Sequence, residues 1–167
     1  MTNDVNFNHL DATFTVDSDE AIDKDKYEAL DDLTDGTVTF TKITDEYANL
    51  ISLSNSVSGV LDGKTVTVED AIEIGELNTL INLVGDLSDI SFSIDDTGSV
   101  LSGLSADNGN ANTKLERAVA SGGTVTINDK PSIEEINDVK TLSGGTTPSY
   151  TTINDTASVL GDDDTYA

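Results

Sequence analysis

Three blocks of this chain repeat one another, and that self-similarity constrains the fold more than any local propensity does. An apolar stripe at helical spacing closes on a glycine three times over: Tyr27, Leu30, Leu33 then Gly36; Leu77, Leu80, Leu83 then Gly85; Ile136, Val139, Leu142 then Gly144. Residues so spaced share one face of a helix, and a glycine just beyond supplies a left-handed C-cap. The segment that follows repeats too. Phe40, Ile43, Asp45 and Leu50 correspond to Phe92, Ile94, Asp96 and Leu101, and then to Tyr150, Ile153, Asp155 and Leu160. The aromatics of this series, with Phe14, are expected in the core. The period is roughly 50 to 60 residues, at the long end for repeat architectures.

Each block opens on a strand in which β-branched or aromatic residues alternate with threonine: Phe14-Thr15-Val16, Val66-Thr67-Val68 and Val125-Thr126-Ile127. Such alternation suits a pleated, half-buried surface. The unit is therefore strand, helix, strand, helix. Strands separated by covering helices imply parallel pairing through right-handed crossovers. The expected fold is α/β: three tandem β-α-β-α repeats forming a short parallel-strand stack or solenoid, with about six strands in half-units of about 25 residues.

The expected divisions are an N-terminal arm over 1–11, repeat 1 over 12–63, repeat 2 over 64–122, and a truncated repeat 3 over 123–167 that ends in an acidic tail, Asp162-Asp163-Asp164. Repeat 2 carries an insertion near 102–113. Its Gly- and Asn-rich composition (Ser102-Gly103-Leu104 through Asn108-Gly109-Asn110) predicts a loop.

Charge narrows the function classes. The chain has 32 Asp and Glu against 8 Lys and Arg, a formal net charge of −24. Nucleic-acid binding needs a basic surface to neutralise phosphates, and eight scattered cations do not build one. An anionic membrane surface is disfavoured for the same reason, and no apolar run is long enough to span a bilayer. With no cysteine, disulfides, thiolate metal sites and cysteine nucleophiles are absent. Residues 1–11 contain no lysine or arginine and no apolar stretch of the kind a signal peptide needs. Export is therefore expected without a cleaved leader, or inside a virus particle.

The candidate site residues are the acids that follow each strand: Asp19, Asp45, Asp70, Asp96, Asp129 and Asp155. The favoured reading is helix N-capping, because an aspartate accepts the unpaired N–H groups of a first helical turn and suits the positive dipole end. The alternative is a Ca²⁺ site. Sequential pairing of strands would stack the carboxylates about 4.8 Å apart, and a hard cation would relieve their repulsion. Asp17, Asp95, Asp107, Asn128 and Asn154 thicken the same edge. The twelve-residue EF-hand loop and the Gly-Gly-x-Gly-x-Asp nonapeptide are both absent.

The catalytic kit is sparse. His9, the sole histidine, lies in the arm, where nothing buried would orient it as a base. A carboxylate pair acting on polysaccharide is the enzymatic alternative, but the chain has no tryptophan to stack sugars. The double glycines Gly122-Gly123 and Gly144-Gly145 follow helices rather than precede them, the reverse of a phosphate loop. Tyr47 and Tyr166 are less constrained by the repeat and are candidates for an interface.

The phrases Thr-Val-Thr-Val-Glu-Asp (65–70), Ile-Gly-Glu-Leu-Asn-Thr-Leu (74–80) and Ile-Asn-Asp-Thr-Ala-Ser-Val-Leu (153–160) resemble modules in long repeat-containing surface proteins of marine and other Gram-negative bacteria, including cyanobacteria. The resemblance covers most of residues 12–160. It implies an acidic, cysteine-free module exported without a cleaved leader, and it also admits a marine phage virion protein that borrowed the module. The expectation is thus a non-enzymatic structural protein, extracellular or on a virion surface, as a capsid decoration or a surface-layer or adhesin module. Its partner would be a protein in a larger assembly, met through the N-terminal arm or the uncapped C-terminal end. No cofactor is expected except Ca²⁺ in the alternative reading, a calcium-dependent adhesive module.

Overall fold

A computed structural model of the chain describes residues 11–107 and 111–156, without the side chains of 105–113. Strands and helices alternate along the chain. The strands are β1 (Phe14–Thr15), β2 (Ala21–Ile22), β3 (Val38–Thr39), β4 (Lys42–Asp45), β5 (Thr65–Ile72), β6 (Ile90–Asp96) and β7 (Val125–Ile127). The helices are α1 (Lys24–Asp31), α2 (Tyr47–Ser56), α3 (Ile74–Val84), α4 (Gly98–Asp107), α5 (Ala111–Ala120) and α6 (Ile133–Leu142).

Five strands form one sheet in the order β2-β4-β5-β6-β7, and every pairing is parallel. β1 and β3 form a separate parallel pair. Because β1 precedes β2 as β3 precedes β4, these short strands are two interrupted strands running side by side, the first of them at the edge. Beyond β7 the next chain segment adds only one parallel bridge, Ser149 to Thr126. Sequence order and spatial order therefore coincide, and the expected α/β class with a parallel stack is borne out.

Alternation along the strands separates the two faces. Ile43, Val66, Val68, Ile90, Phe92, Ile94, Val125 and Ile127 are buried. The intervening Thr44, Thr67, Ser91, Ser93 and Thr126 are only half-buried. The helices cover the apolar face with Leu50 and Leu53 of α2, Leu77 and Leu80 of α3, Leu101 of α4, Leu115 and Ala118 of α5, and Val139 of α6, all fully buried in one continuous core. At about 25 cal/mol per Å² of apolar surface removed from water, this shared interior is the main stabilising term. The Tyr27 and Phe40 rings close the core at the first unit, edge to face with centroids 5.8 Å apart.

Several details differ from the sequence reading. The expected loop at 102–113 is helical on both sides: α4 runs to Asp107 and α5 starts at Ala111. Apolar residues at helical spacing, Leu101 with Leu104 and Leu115 with Ala118, face the core on either side of the polar middle and hold these segments as helix. Leu33 is not on the α1 stripe. It lies past the helix end and is 54% exposed. Gly85 has φ 96° and closes α3 as expected, but Gly36 has no positive φ. Its requirement is space, since a Cβ there would lie 2.3 Å from the Ala12 carbonyl oxygen. Phe14 is half-buried rather than core, because it sits on a two-residue strand at the edge. Tyr150 is 39% exposed, since the strand expected around it is reduced to the single Ser149 bridge.

Candidate functional site

The strand-end aspartates are brought into one repeated arrangement, and it crosses from unit to unit, a unit now meaning one strand with the helix that follows it (half of a sequence repeat). Five of the six each accept the first backbone N–H of the helix in the preceding unit. Asp45 accepts from Lys24 at 2.8 Å, Asp70 from Tyr47 at 2.7 Å, Asp96 from Ile74 at 3.1 Å, Asp129 from Gly98 at 2.9 Å and Asp155 from Ile133 at 3.0 Å. The sequence separations are 21, 23, 22, 31 and 22 residues, and the one long step spans the α4–α5 insertion. In three units the second oxygen also takes the N–H of the next residue: Glu46 at 2.9 Å, Thr97 at 2.7 Å and Thr156 at 2.7 Å. A charged acceptor at a helix N-terminus gains both the hydrogen bond and the dipole interaction. Asp45 and Asp96 are themselves buried, which the sequence did not suggest.

The capping reading was therefore right in its chemistry, while the helix served is the neighbour's. Asp19 is the exception. It lies in a turn, where its N–H donates to the Asp17 carboxylate at 3.0 Å. Helices also carry caps of their own: Asp23 accepts from Lys26 at 2.7 Å, and Glu73–Glu76 and Ser132–Glu135 form capping boxes on α3 and α6.

The premise of the calcium reading, carboxylates stacked side by side, is not met by the register. Asp45 lies opposite Val68 and Asp96 opposite Ile127, and a bulge between Thr67 and Ala71 offsets Asp70. Among the described residues no group of three or more acids or histidines converges as a metal site. Of the secondary candidates, the Asn128 N–H donates to the Asp96 carbonyl and the Asn154 N–H to the Pro131 carbonyl, each at 3.0 Å. Asp107 ends α4. Asp95 stands on the other face of the sheet, opposite Thr126, and its buried Oδ1 has no hydrogen-bond partner among the described residues. Tyr47 packs half-buried against the core instead of standing free. His9, Leu160, Asp162-Asp163-Asp164 and Tyr166 fall outside the described residues, as does nearly all of the 1–11 arm.

Two shallow hollows accompany these elements. One of about 400 Å³ sits at the start of α6, lined by Ser132, Ile133, Glu134, Asn137, Asp138 and Asp155. The other, about 160 Å³, lies on the open sheet face beside Thr67, Ser91, Ser93 and Ser121. The polar row around this second hollow is what the sequence reading missed as a feature in its own right. Its signal was present in the threonines that alternate with core residues in every block.

Two electrostatic shifts bear on local structure. Asp86 accepts the Ser88 N–H at 2.8 Å, and that bond, with the Ser88 hydroxyl and the nearby Arg117 charge, holds its carboxyl below the usual range. Burial pushes the Tyr27 phenol upward, helped by the charge of Asp31.

These features define a parallel α/β stack with one helix-covered face, one face left open by the described residues, and carboxylate ties between successive units. Comparison of the chain with protein-family models, with curated proteins and with solved structures returns no match in any of the three. Among the described residues no helix is long and apolar enough to cross a membrane.

Proposed function

We propose that this chain is a non-enzymatic structural protein displayed on the exterior of a larger assembly, as a capsid decoration or as a secreted surface-layer or adhesin module. The observation that carries the reading is the use made of its strand-end acids. The side chains best suited to general acid–base work or metal binding are spent on backbone N–H groups of neighbouring helices, a structural task. The remaining acids give a strongly negative exterior, which favours solubility and suits a protein surrounded by salt. Contact with the assembly is assigned to the 1–11 arm or the C-terminal end.

Brief protease treatment of intact source cells or particles, followed by mass spectrometry of the released peptides, tests this reading. Peptides of this chain should be released before any internal marker. Their appearance only after lysis would contradict it. Melting the protein with and without calcium separates the calcium-dependent adhesive version, since a ligand bound only by the folded form raises the midpoint. No shift is expected.

A further inference from the structure

The open face of the sheet presents hydroxyls on a two-dimensional grid. Thr44, Thr67 and Ser91 are directly opposite one another across β4, β5 and β6. Farther along the strands, Thr126 and Ser149 are opposite one another across β7 and the adjoining bridge, with the carboxylate of Asp95 on β6 as their neighbour. Thr65 and Thr67, and likewise Ser91 and Ser93, are alternate residues of one strand on the same side. Parallel strands set neighbours within such a row about 4.8 Å apart, and alternate residues about 6.6 Å apart along each strand.

Ser93 Oγ accepts the Thr124 N–H at 3.1 Å, but four of the other hydroxyls are spare. Those of Thr44, Thr67, Ser91 and Thr126 make no hydrogen bond among the described residues. They are half-exposed and not sealed from solvent. Each can donate and accept. The rows hold no aromatic ring: Phe92, between Ser91 and Ser93, points into the core and is 3% exposed.

We propose that this hydroxyl face binds the surface of ice crystals. An ice surface is a fixed two-dimensional grid of water oxygens that donate and accept, and rows of unpaired hydroxyls at regular spacing can take up positions in it. It is also neutral, so the net charge of −24 does not oppose contact. A second copy of this chain would meet that charge as repulsion. A polysaccharide would find no ring within these rows on which to stack its apolar faces. The hollow beside Thr67, Ser91 and Ser93, about 160 Å³, holds room for about five waters at roughly 30 Å³ each, bordered by hydroxyls that would order them.

Growing ice slowly from a solution of the whole chain, and assaying protein in the ice and in the remaining liquid, tests the proposal. The native chain should be enriched in the ice. Thr67→Tyr, which raises a bulky ring at the centre of the first row, should be excluded from it. Asn55→Tyr, on the exposed side of α2, should partition as the native chain does. Thr67→Val keeps the β-branched shape and removes only the hydroxyl, so it should fold normally and show reduced enrichment. Circular dichroism confirms folding of each. Exclusion of the folded native chain from ice, or equal partitioning of folded Thr67→Tyr, would overturn the proposal. So would retention on an insoluble neutral polysaccharide with exclusion from ice, which would assign the face to glycans.

Discussion

Asp96 shows how much a single side chain carries here. It is 8% exposed, and its two oxygens serve two backbone donors, Ile74 and Thr97, that belong to different units. Replacing it with alanine leaves both N–H groups without an acceptor in a buried setting and should cost about 1–3 kcal/mol. Asp129 makes the equivalent contact to Gly98 from an exposed position, where water can substitute, so Asp129→Ala should cost about 0.5–1 kcal/mol. Urea denaturation of the two variants checks the order. At alkaline pH the relevant residue is Tyr27. Its folded-state pKa lies above the ordinary tyrosine value, so its contribution to stability is complete below that value and is lost as pH rises through the folded one. Between about pH 9 and 11 the native urea midpoint should fall more steeply than that of Tyr27→Phe. Parallel curves would show that the buried phenol is not the cause. Strand-end aspartates were easily found in the sequence, because Asp follows an alternating apolar run each time. Which helix each one caps was hidden, because that depends on strands being stacked in order and not on local spacing.

At the level of elements, helices and strands were legible where the apolar period was long, as in α3 and α6, whose stripes Leu77–Leu80 and Ile136–Val139–Leu142 are buried as expected. Short strands were less so. β1 to β4 span two to four residues each, too few for alternation to reveal that one edge is broken into two parts. The insertion was misjudged because its Gly- and Asn-rich middle outweighed the helical spacing on either side. That insertion brings in α5, and α5 is fixed to β6 by two devices. Arg117 donates from Nε to the Ile90 carbonyl at 3.1 Å and from an η nitrogen to the Ser88 carbonyl at 2.7 Å. Gly123 lets the chain leave α5 against β6, since a Cβ there would fall 1.9 Å from the Phe92 carbonyl oxygen and 3.0 Å from that of Ala118. Both contacts are backbone, so Gly123→Ala must displace a strand or a helix end. Its expected cost is about 1–3 kcal/mol, read as a lowered urea midpoint. A neutral result would mean that α5 is loosely seated.

Across the whole molecule, one apolar interior and one series of carboxylate ties run from the first unit to the last. The net charge of −24 works against compactness. The described pairs Lys24–Glu28 and Lys26–Glu20 lie at the surface and offset little of it. At 0.1 M salt, exposed charges more than about 10 Å apart are largely screened from one another, so the melting temperature should rise as sodium chloride goes from about 0.01 to 0.5 M. A fall would mean that favourable ion pairs outweigh the general repulsion. The repeat, read from sequence alone, gave the class and the parallel order. It could not give the open hydroxyl face its meaning, because threonine in a strand satisfies β-propensity whether or not its hydroxyl is used. The claim that organises the molecule is that the acid ending each strand ties down the helix of the unit before it. Amide hydrogen exchange followed by NMR in Asp96→Ala tests that directly. Faster exchange is expected at Ile74, 22 residues upstream in sequence, together with Thr97. Faster exchange at Thr97 and its neighbours alone, with Ile74 as protected as in the native chain, would contradict it.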